Sequence, residues 1–325
     1  STKTFVSDLI AGVIVGVVAL PLAIAFAIAS GVSPERGLFT AIIAGFCISF
    51  FGGSKVQIGG PTGAFAVIVY GVVNKFGYEG LVIATIMAGI LLILLGAFKM
   101  GGLVKFIPYT IVTGFTAGIA VTILTGQIGD FFGLTTGKMP GDFVGKIKVY
   151  IESFNTINWY SFGIAAISLI VIFLWPKINK KVPGSLIVII LATVVSLILE
   201  HTLGWKTDTI GSRYGAIPSS LPAPTIPGIN LELIKQLFPT AISIAVLAAI
   251  ESLLSAVVAD GMIGSKHDSN TELIAQGIAN IASPIFGGIP ATGAIARTAT
   301  NIKNGGKTPI AGIIHAVVLL LIMLL

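Results

Sequence analysis

The stretch GGPTGA at residues 59–64 returns as GGIPATGA at residues 287–294, and each copy opens an apolar segment too short to span a bilayer. The two segments cover residues 62–73 and 291–302. Paired short segments interrupted by glycine and proline are typical of the ligand site in membrane transporters built from repeats. A half-helix that begins inside the membrane points unpaired N–H groups and its positive dipole end at the midplane. Two such ends predict a site for an anion.

The composition indicates a membrane protein. The chain of 325 residues is 55% hydrophobic and 10% charged, and its mean hydropathy is +1.01. Soluble domains carry about 25% charged residues, and a helix needs about 20 apolar residues to cross ~30 Å of hydrocarbon. Full spans are predicted at residues 9–29, 36–51, 81–98, 106–126, 160–175, 185–200, 239–259, 271–286 and 308–325.

Several classes of function lack the residues that they need. The net charge of +6 comes from dispersed Lys and Arg without interleaved aromatic residues, so no nucleic-acid partner is predicted. The single cysteine, Cys47, excludes a disulfide within the chain, and no Cys/His cluster predicts a metal or another cofactor. No nucleophile–base pair or phosphate loop indicates an enzyme. The predicted surroundings are a lipid bilayer.

The placement of basic residues predicts the orientation of the chain. With the N-terminus inside, the short outer loops carry only Arg36 and Lys75, whereas Lys138 belongs to a long outer loop. The positive-inside rule therefore predicts a multi-pass protein of the cell membrane with a cytoplasmic N-terminus. The short inner loops carry Lys3, Lys55, Lys99, Lys105, Lys177, Lys180, Lys181, Lys266, Lys303 and Lys307.

The two long loops are predicted to contain structure of their own. Between Asp142 and Phe154, apolar residues at helical spacing predict a helix that lies on the membrane interface. The proline-rich stretch at residues 217–228 predicts an extended cover segment.

Two ionisable residues, Glu251 and Arg297, lie well inside predicted spans, whereas Asp8 and Glu200 lie at span ends and are expected to reach the interface. A charge at mid-membrane costs at least about 2.5–3.5 kcal/mol and marks a functional site by default. Ser255 follows Glu251 by one helical turn and shares its face. The pair is interpreted either as a coupling-ion site with an anion anchor, or as a structural ion pair whose members neutralise each other.

Three other polar residues in apolar segments each have two interpretations. His315 in the last span either relays protons or is a packed, hydrogen-bonded side chain. Thr298 and Asn301 on the second short segment either line a cavity or form polar contacts between helices.

These stretches together resemble the SulP (sulfate permease) family of anion transporters, which includes bicarbonate transporters and prestin. The resemblance covers essentially the whole chain. It is carried by ALPLAIAFA at 19–27, the stretch from GLF at 37–39 to FGGSK at 51–55, GPTG at 60–63, residues 251–260, NTELIAQG at 270–277 and FGG at 286–288.

The resemblance implies an all-α polytopic membrane protein with a 7+7 inverted-repeat transporter fold, in which a core domain moves against a gate domain. Two half-helices, each preceded by a short extended stretch, hold the substrate between them. Residues 1–200 are then the first repeat, residues 201–238 the outer loop that links the halves, and residues 239–325 an incomplete second repeat. The chain is expected to be truncated after about eleven segments, without the last gate helices and the usual STAS domain.

The resemblance also assigns residues to the site. The anion pocket is implied to comprise Phe26, Thr62, Gly63, Ala64, Phe65, Gly293, Ala294, Ile295 and Arg297, with Glu251 and Ser255 as the ion-coupling residues. Leu22 stands where many relatives have glutamine. Ile295 stands where the bicarbonate branch has threonine, which removes one sodium-ligating hydroxyl and favours proton coupling.

The predicted function is therefore secondary transport of a small oxyanion such as sulfate, bicarbonate or a dicarboxylate, by proton-coupled symport with an elevator-like motion in a homodimer. The alternatives are a sodium-coupled bicarbonate symporter and an uncoupled anion channel or voltage-responsive motor. A nucleobase permease is less favoured, because Arg297 at a half-helix indicates an anion.

Overall fold

A computed structural model describes residues 2–102, 109–137, 139–179, 182, 184–228 and 230–325. The start of the predicted span 106–126 lies outside the described residues. So do four of the basic residues considered for orientation, Lys105, Lys138, Lys180 and Lys181.

The described part of the chain is mostly helical. The elements are α1 (Thr2–Ala29), α2 (Pro34–Phe51), β1 (Gly59–Gly60), α3 (Ala66–Ala97), α4 (Tyr109–Phe132), α5 (Phe143–Glu152), α6 (Trp159–Ile178), α7 (Gly184–Leu203), α8 (Ile210–Tyr214), α9 (Leu231–Ile263), α10 (Ser269–Ile285), β2 (Thr292–Gly293), α11 (Ile295–Lys303) and α12 (Pro309–Leu324), with 3-10 turns at Gly63–Phe65 and Phe154–Thr156. Among these helices, α1, α2, α3, α6, α7 and α9 are long and apolar enough to cross a membrane.

The chain forms two compact units. The first unit comprises Ser1–Val112 and Ile217–Leu325, and the second comprises Thr113–Ala216. The first unit contains α1–α3, α9–α12 and both strands, so it holds both copies of the repeated motif. The second unit contains α5, as the apolar spacing between Asp142 and Phe154 predicted. The Asp142 side chain begins this helix by accepting a hydrogen bond from the Gly145 amide at 2.7 Å.

The predicted half-length segment 62–73 is continuous with the span that follows it. A 3-10 turn at Gly63–Phe65 leads into α3, which runs to Ala97. The helix is interrupted at Gly77, whose φ of 71° is open to glycine but costly for other residues. The first part of α3 is therefore half-length, as predicted, but the break falls at Gly77 and not after residue 73.

Helix α9 begins at Leu231, eight residues before the predicted span 239–259. The Asn230 side chain caps it, accepting hydrogen bonds from the amides of Glu232 (3.0 Å) and Leu233 (3.2 Å). Pro239 lies inside the helix and does not end it. The prediction placed the boundary at the proline because the polar residues before it lower the hydropathy.

Asp8 at the N-terminal end of α1 is buried within the protein. Its side chain is fully buried, and its carboxylate accepts hydrogen bonds from the amides of Lys307 (2.6 Å) and Thr308 (3.1 Å). The Thr308 hydroxyl also donates to Asp8. These groups lie at the start of α12, whose first N–H groups have no partner within the helix. Asp8 therefore joins α1 to α12.

Glu272 in α10 is another buried ionisable residue, which the sequence analysis did not single out. Its Oε2 accepts hydrogen bonds from the amides of Gly53 (2.9 Å) and Ser54 (3.1 Å), and its Oε1 accepts one from Gln276 Nε2 at 2.8 Å. The carboxylate is fully buried. Because its charge is met by three donors, Glu272 fixes the chain that leads into β1.

Asn280 and Ser283 on the same face of α10 fix the chain that leads into β2. Asn280 accepts a hydrogen bond from the Ala291 amide (2.9 Å) and donates one to the Ala291 carbonyl (2.8 Å). Ser283 donates to the Ile289 carbonyl at 2.8 Å. Helix α10 therefore positions both strands through one buried polar face.

The proline-rich stretch 217–228 contains no helix or strand among its described residues and lies on the first unit. Ile217 and Leu221 pack against a buried cluster that includes Phe39 and Leu319. The Thr225 amide donates to the Ile285 carbonyl at 2.9 Å. The stretch therefore covers part of the first unit, although it is not a strand.

Replacing Gly37 with alanine is expected to destabilise the first unit by about 1–3 kcal/mol, because overpacking a tight contact costs this much. A β-carbon on Gly37 would overlap the Ala23 carbonyl of α1, a main-chain atom that cannot move alone. The measurement is the melting temperature of the purified protein in detergent. Gly71→Ala is the matched control, since a β-carbon there meets nothing within 4 Å. Equal melting temperatures for the two variants would contradict this packing.

Candidate functional site

The two copies of the repeated motif meet in a short antiparallel ribbon. β1 pairs with β2, with Gly59 opposite Gly293 and Gly60 opposite Thr292. The Ala294 amide extends the pairing by donating to the Ile58 carbonyl at 2.8 Å. Segments more than 200 residues apart in sequence are thereby placed side by side, as the repeat predicted.

A helical segment begins directly after each strand. The 3-10 turn at Gly63–Phe65 follows β1 and continues into α3, and α11 follows β2 with Ala294 as its N-cap. Neither start has a hydrogen bond from a capping side chain. First-turn N–H groups lack partners within a helix, so both starts can offer donors and positive dipole ends to a ligand.

Arg297 is buried beside β1. Its side chain is 3% exposed, and its Nη2 donates a hydrogen bond to the Pro61 carbonyl. Its Nη1 has no hydrogen-bond partner. Nη1 lies 2.6 Å from the position that a β-carbon on Gly60 would take, so only glycine leaves room for the guanidinium there. Nη2 therefore holds the residue that follows β1, whereas Nη1 is left unpaired.

Glu251 contacts the other side of the same junction. Its Oε2 accepts a hydrogen bond from the Thr62 hydroxyl at 3.0 Å, and its side chain is half-buried. Among the residues that the structure describes, no direct ion pair joins Glu251 to Arg297. The two charges instead hold adjacent residues, Thr62 and Pro61, at the start of the first half-helix.

Ser255 and Thr298 form a buried hydroxyl pair one turn beyond Glu251. The Ser255 hydroxyl donates to Thr298 Oγ1 at 3.3 Å, and the Ile58 amide donates to the same oxygen at 3.0 Å. Thr298 therefore supplies a hydroxyl near Ser255, although Ile295 at the start of α11 does not. The side chain of Ile295 is 39% exposed.

The remaining predicted site residues fall into two groups. Phe65 is 1% exposed in the 3-10 turn with Gly63 and Ala64, and Gly293 and Ala294 are buried at the end of β2. These residues form the two half-helix starts. Phe26 is half-buried on α1, a helix that packs against α11.

Gln57 is a site residue that the sequence analysis missed. It is 3% exposed, and neither its Nε2 nor its Oε1 has a hydrogen-bond partner. Its amide nitrogen occupies the position that a β-carbon on Gly293 would take. The signal in the sequence is an amide side chain directly before a repeated glycine motif, in an otherwise apolar stretch.

A hydrogen-bonded Asp–His–Ser chain joins the end of α9 to the start of α10. Asp260 Oδ2 lies 2.7 Å from His267 Nδ1, and His267 Nε2 lies 2.9 Å from the Ser269 hydroxyl. Asp260 also accepts bonds from the His267 amide (2.9 Å) and the Ser265 hydroxyl (3.0 Å). These bonds close the loop onto the end of α9.

Asp268 in this loop caps α10. Hydrogen bonds from the main-chain amide of Thr271 and, less strongly, that of Asn270 lower the pKa of the Asp268 carboxyl. Asp268 stays charged at the positive end of the α10 dipole and holds the first turn. No group of three His, Cys, Asp or Glu in the described chain is arranged to hold a metal ion.

The apolar helices and the two half-helix starts together define a class of protein. Its members are multi-helix membrane proteins in which two interrupted segments form a polar site within one unit. The chain belongs to the sulfate permease family, whose sequence model matches residues 5–325.

Curated relatives match nearly the whole chain. The chain is 52% identical over 322 residues to the Bacillus subtilis protein named "Putative sulfate transporter YvdB", covering 99% of this chain and 60% of that protein. It is 34% identical over 330 residues to the bicarbonate transporter BicA of Synechocystis, covering 99% of this chain and 57% of that protein. The chain therefore spans about 60% of the length of these relatives.

Solved structures confirm the fold. The transmembrane domain of a cyanobacterial bicarbonate transporter BicA aligns with a TM-score of 0.88 at 32% identity, over 100% of this chain and 83% of that chain. The structure of SLC26A9 aligns with a TM-score of 0.85 at 21% identity, over 100% of this chain and 54% of that chain. These transmembrane domains have the inverted-repeat fold that the sequence predicted.

Proposed function

We propose that the protein is a secondary transporter of a small oxyanion, such as sulfate, bicarbonate or a dicarboxylate, and that it couples anion uptake to protons. The protein works in the cell membrane with a cytoplasmic N-terminus, as a homodimer, through an elevator-like alternating-access motion. The names of YvdB and BicA, a sulfate and a bicarbonate transporter respectively, support an oxyanion as the substrate class.

The observation that carries the proposal is that two side chains of opposite charge bind adjacent residues at the start of the first half-helix. Arg297 binds the Pro61 carbonyl and Glu251 binds the Thr62 hydroxyl, directly before the first half-helix. An anion placed between the two half-helix starts meets main-chain N–H donors from both repeats. The unpartnered Nη1 of Arg297 adds a charged donor, and charge-assisted hydrogen bonds to oxyanions are about twice as strong as neutral ones.

Glu251 is the proton carrier in this proposal. When ionised, it can only accept the hydrogen bond from Thr62; when protonated, it can also donate. Protonation removes a negative charge from the side of the site opposite Arg297, so anion and proton favour each other's binding. The cancelled charge lowers the cost of moving the loaded site across the membrane.

A sodium-coupled bicarbonate symporter is the second candidate. The hydroxyls of Ser255 and Thr298 lie 3.3 Å apart on the same side as Glu251. Oxygen ligands of this kind suit a hard cation. Because Thr298 Oγ1 already accepts hydrogen bonds from the Ile58 amide and the Ser255 hydroxyl, both of its lone pairs are occupied, and this favours the proton.

The test is uptake of labelled sulfate and labelled bicarbonate by the full-length protein in liposomes, with an imposed proton gradient or an imposed sodium gradient. Accumulation with the proton gradient supports the first candidate, and the larger uptake identifies the anion. Accumulation only with the sodium gradient supports the second. Liposomes that accumulate neither anion with either gradient would contradict the proposal.

Replacing Glu251 with glutamine is expected to abolish proton-driven accumulation while anion exchange at equal concentrations continues. The glutamine amide can still bond Thr62, but it cannot bind and release a proton. The measurement is labelled-sulfate accumulation at several pH values, with Glu232→Gln as the control, because Glu232 is exposed in the first turn of the same helix. Proton-driven uptake by the Glu251 variant at the normal level would exclude Glu251 as the proton carrier.

A further inference from the structure

A row of buried polar atoms lies along one face of α2, behind the strand ribbon. Ala41, Gly45 and Ser49 are spaced four residues apart and therefore lie above one another on this face, over roughly 12 Å. At the first level, a β-carbon on Gly60 would lie 2.6 Å from Arg297 Nη1 and 3.5 Å from the Ala41 Cα. The free donor of Arg297 therefore borders this face of α2.

His315 of α12 lies at the second level. The position of a β-carbon on Gly45 is 3.2 Å from His315 Cε1 and 3.2 Å from the Gly59 carbonyl oxygen. The His315 side chain is fully buried, and neither of its ring nitrogens has a hydrogen-bond partner. The ring is therefore next to the residue that precedes Gly60 in β1.

Ser49 lies at the third level, against Gly312 of α12. Its hydroxyl occupies the place that a β-carbon on Gly312 would take, and this hydroxyl also has no partner. We call Arg297 Nη1, the His315 ring and the Ser49 hydroxyl, with the glycines between them, the polar seam.

Buried polar groups in proteins are nearly always paired, with ordered water where no protein group is in reach. The polar seam gathers four side-chain atoms that have no protein partner: Arg297 Nη1, both ring nitrogens of His315 and the Ser49 oxygen. The polar seam therefore places two unpaired ring nitrogens, which can bind a proton, in the same buried row as Arg297.

The charges around His315 are few. α12 packs against α1 and α2, whose charged residues Lys3, Asp8, Glu35 and Arg36 all lie towards the N-terminal ends of those helices. Asp8 is bound to Lys307 and Thr308, seven residues before His315. On α11, Lys303 is exposed, whereas Arg297 borders the polar seam. Arg297 is therefore the charge that governs the protonation of His315.

We propose that His315 is a second proton-binding residue, separate from Glu251, which takes up a proton through the polar seam when an anion binds at Arg297. The proposal rests on the proposed function, because it needs the anion at Arg297. In the empty site, burial and the positive charge of Arg297 together keep the imidazole neutral. A bound anion cancels this charge, one ring nitrogen then accepts a proton from water, and the proton returns to water when the anion leaves.

The experiment isolates His315 in a Glu251→Gln background. The affinity of the full-length protein for labelled sulfate is measured at about pH 5.5 and about pH 7.5, where histidine changes charge. We expect binding about 10-fold tighter at the lower pH, as reciprocal linkage requires. Calorimetry in buffers of different ionisation enthalpy is expected to show net proton uptake on sulfate binding.

Two further variants in this background assign the response. His315→Asn removes the titrating ring and is expected to remove the pH dependence, whereas His201→Asn, at an exposed histidine of α7, is expected to keep it.

The outcomes separate this proposal from the proposed function. Equal sulfate affinity at both pH values in the Glu251→Gln protein would overturn the role of His315. A pH response that persists in the folded His315→Asn protein would also overturn it. A wild-type protein that binds no oxyanion at either pH would overturn the proposed function instead.

Discussion

Replacing Arg297 with glutamine is expected to weaken oxyanion binding by about 10- to 150-fold. A hydrogen bond to a charged group contributes about 1.5–3 kcal/mol, and about 1.4 kcal/mol corresponds to a tenfold change in affinity. The glutamine amide can still donate to the Pro61 carbonyl, which Nη2 of Arg297 binds in the wild type. The substitution therefore removes the charge and the free Nη1 donor while it keeps a bond to the strand.

The measurement is the dissociation constant of labelled sulfate for the purified full-length protein. Lys303→Gln is the matched control, because it removes one positive charge from the exposed last turn of the same helix. Arg297→Lys is expected to bind with intermediate affinity, since an ammonium keeps the charge but cannot hold Pro61 and a ligand in the planar arrangement of a guanidinium. Wild-type affinity in the Arg297→Gln protein would show that the anion binds elsewhere.

The position of the site could be predicted because its signal is local. Glycine, proline and a short apolar segment occur together at residues 59–64 and again at residues 287–294, and each half-helix start follows from its own sequence. Glu251 and Arg297 stand out because charges are rare in apolar spans. The structure places both at the start of the first half-helix, where they bind Thr62 and Pro61.

Contacts between distant segments could not be predicted from one sequence. Glu272 lies near the start of a predicted span, yet its partners, Gly53 and Ser54, are more than 200 residues away. The partners of Asp8, at the start of α12, are about 300 residues away in the sequence. A strand of two residues has no periodicity, so the pairing of β1 with β2 also had no signal.

The predicted helix boundaries differ from those in the structure for another reason. Glycine is tolerated within apolar helices, so the sequence places the break in α3 between residues 73 and 81 but does not fix it at Gly77. Conversely, Pro239 resembles a helix start but lies within α9, because the cap at Asn230 begins the helix two turns earlier. Residue identity alone therefore does not fix the conformation at these positions.

Replacing Asn280 with alanine is expected to destabilise the protein by about 2–6 kcal/mol and to abolish oxyanion binding. The substitution leaves the amide and the carbonyl of Ala291 without their partner, and each unpaired buried polar group costs about 1–3 kcal/mol. Ala291 directly precedes β2, so the loss also releases the strand that positions the start of α11.

Two measurements separate this role from simple packing: the melting temperature in detergent and the affinity for labelled sulfate. Asn304→Ala is the matched control, because the side-chain amide of Asn304 donates to the Thr300 carbonyl, one turn earlier, at 2.8 Å. The control is expected to lose at most about 1 kcal/mol, the usual contribution of one such hydrogen bond, and to bind sulfate normally. An Asn280→Ala protein that melts and binds like the control would mean that the polar face of α10 does not hold β2, and the half-helix start at Ala294 would then owe its position to the ribbon alone.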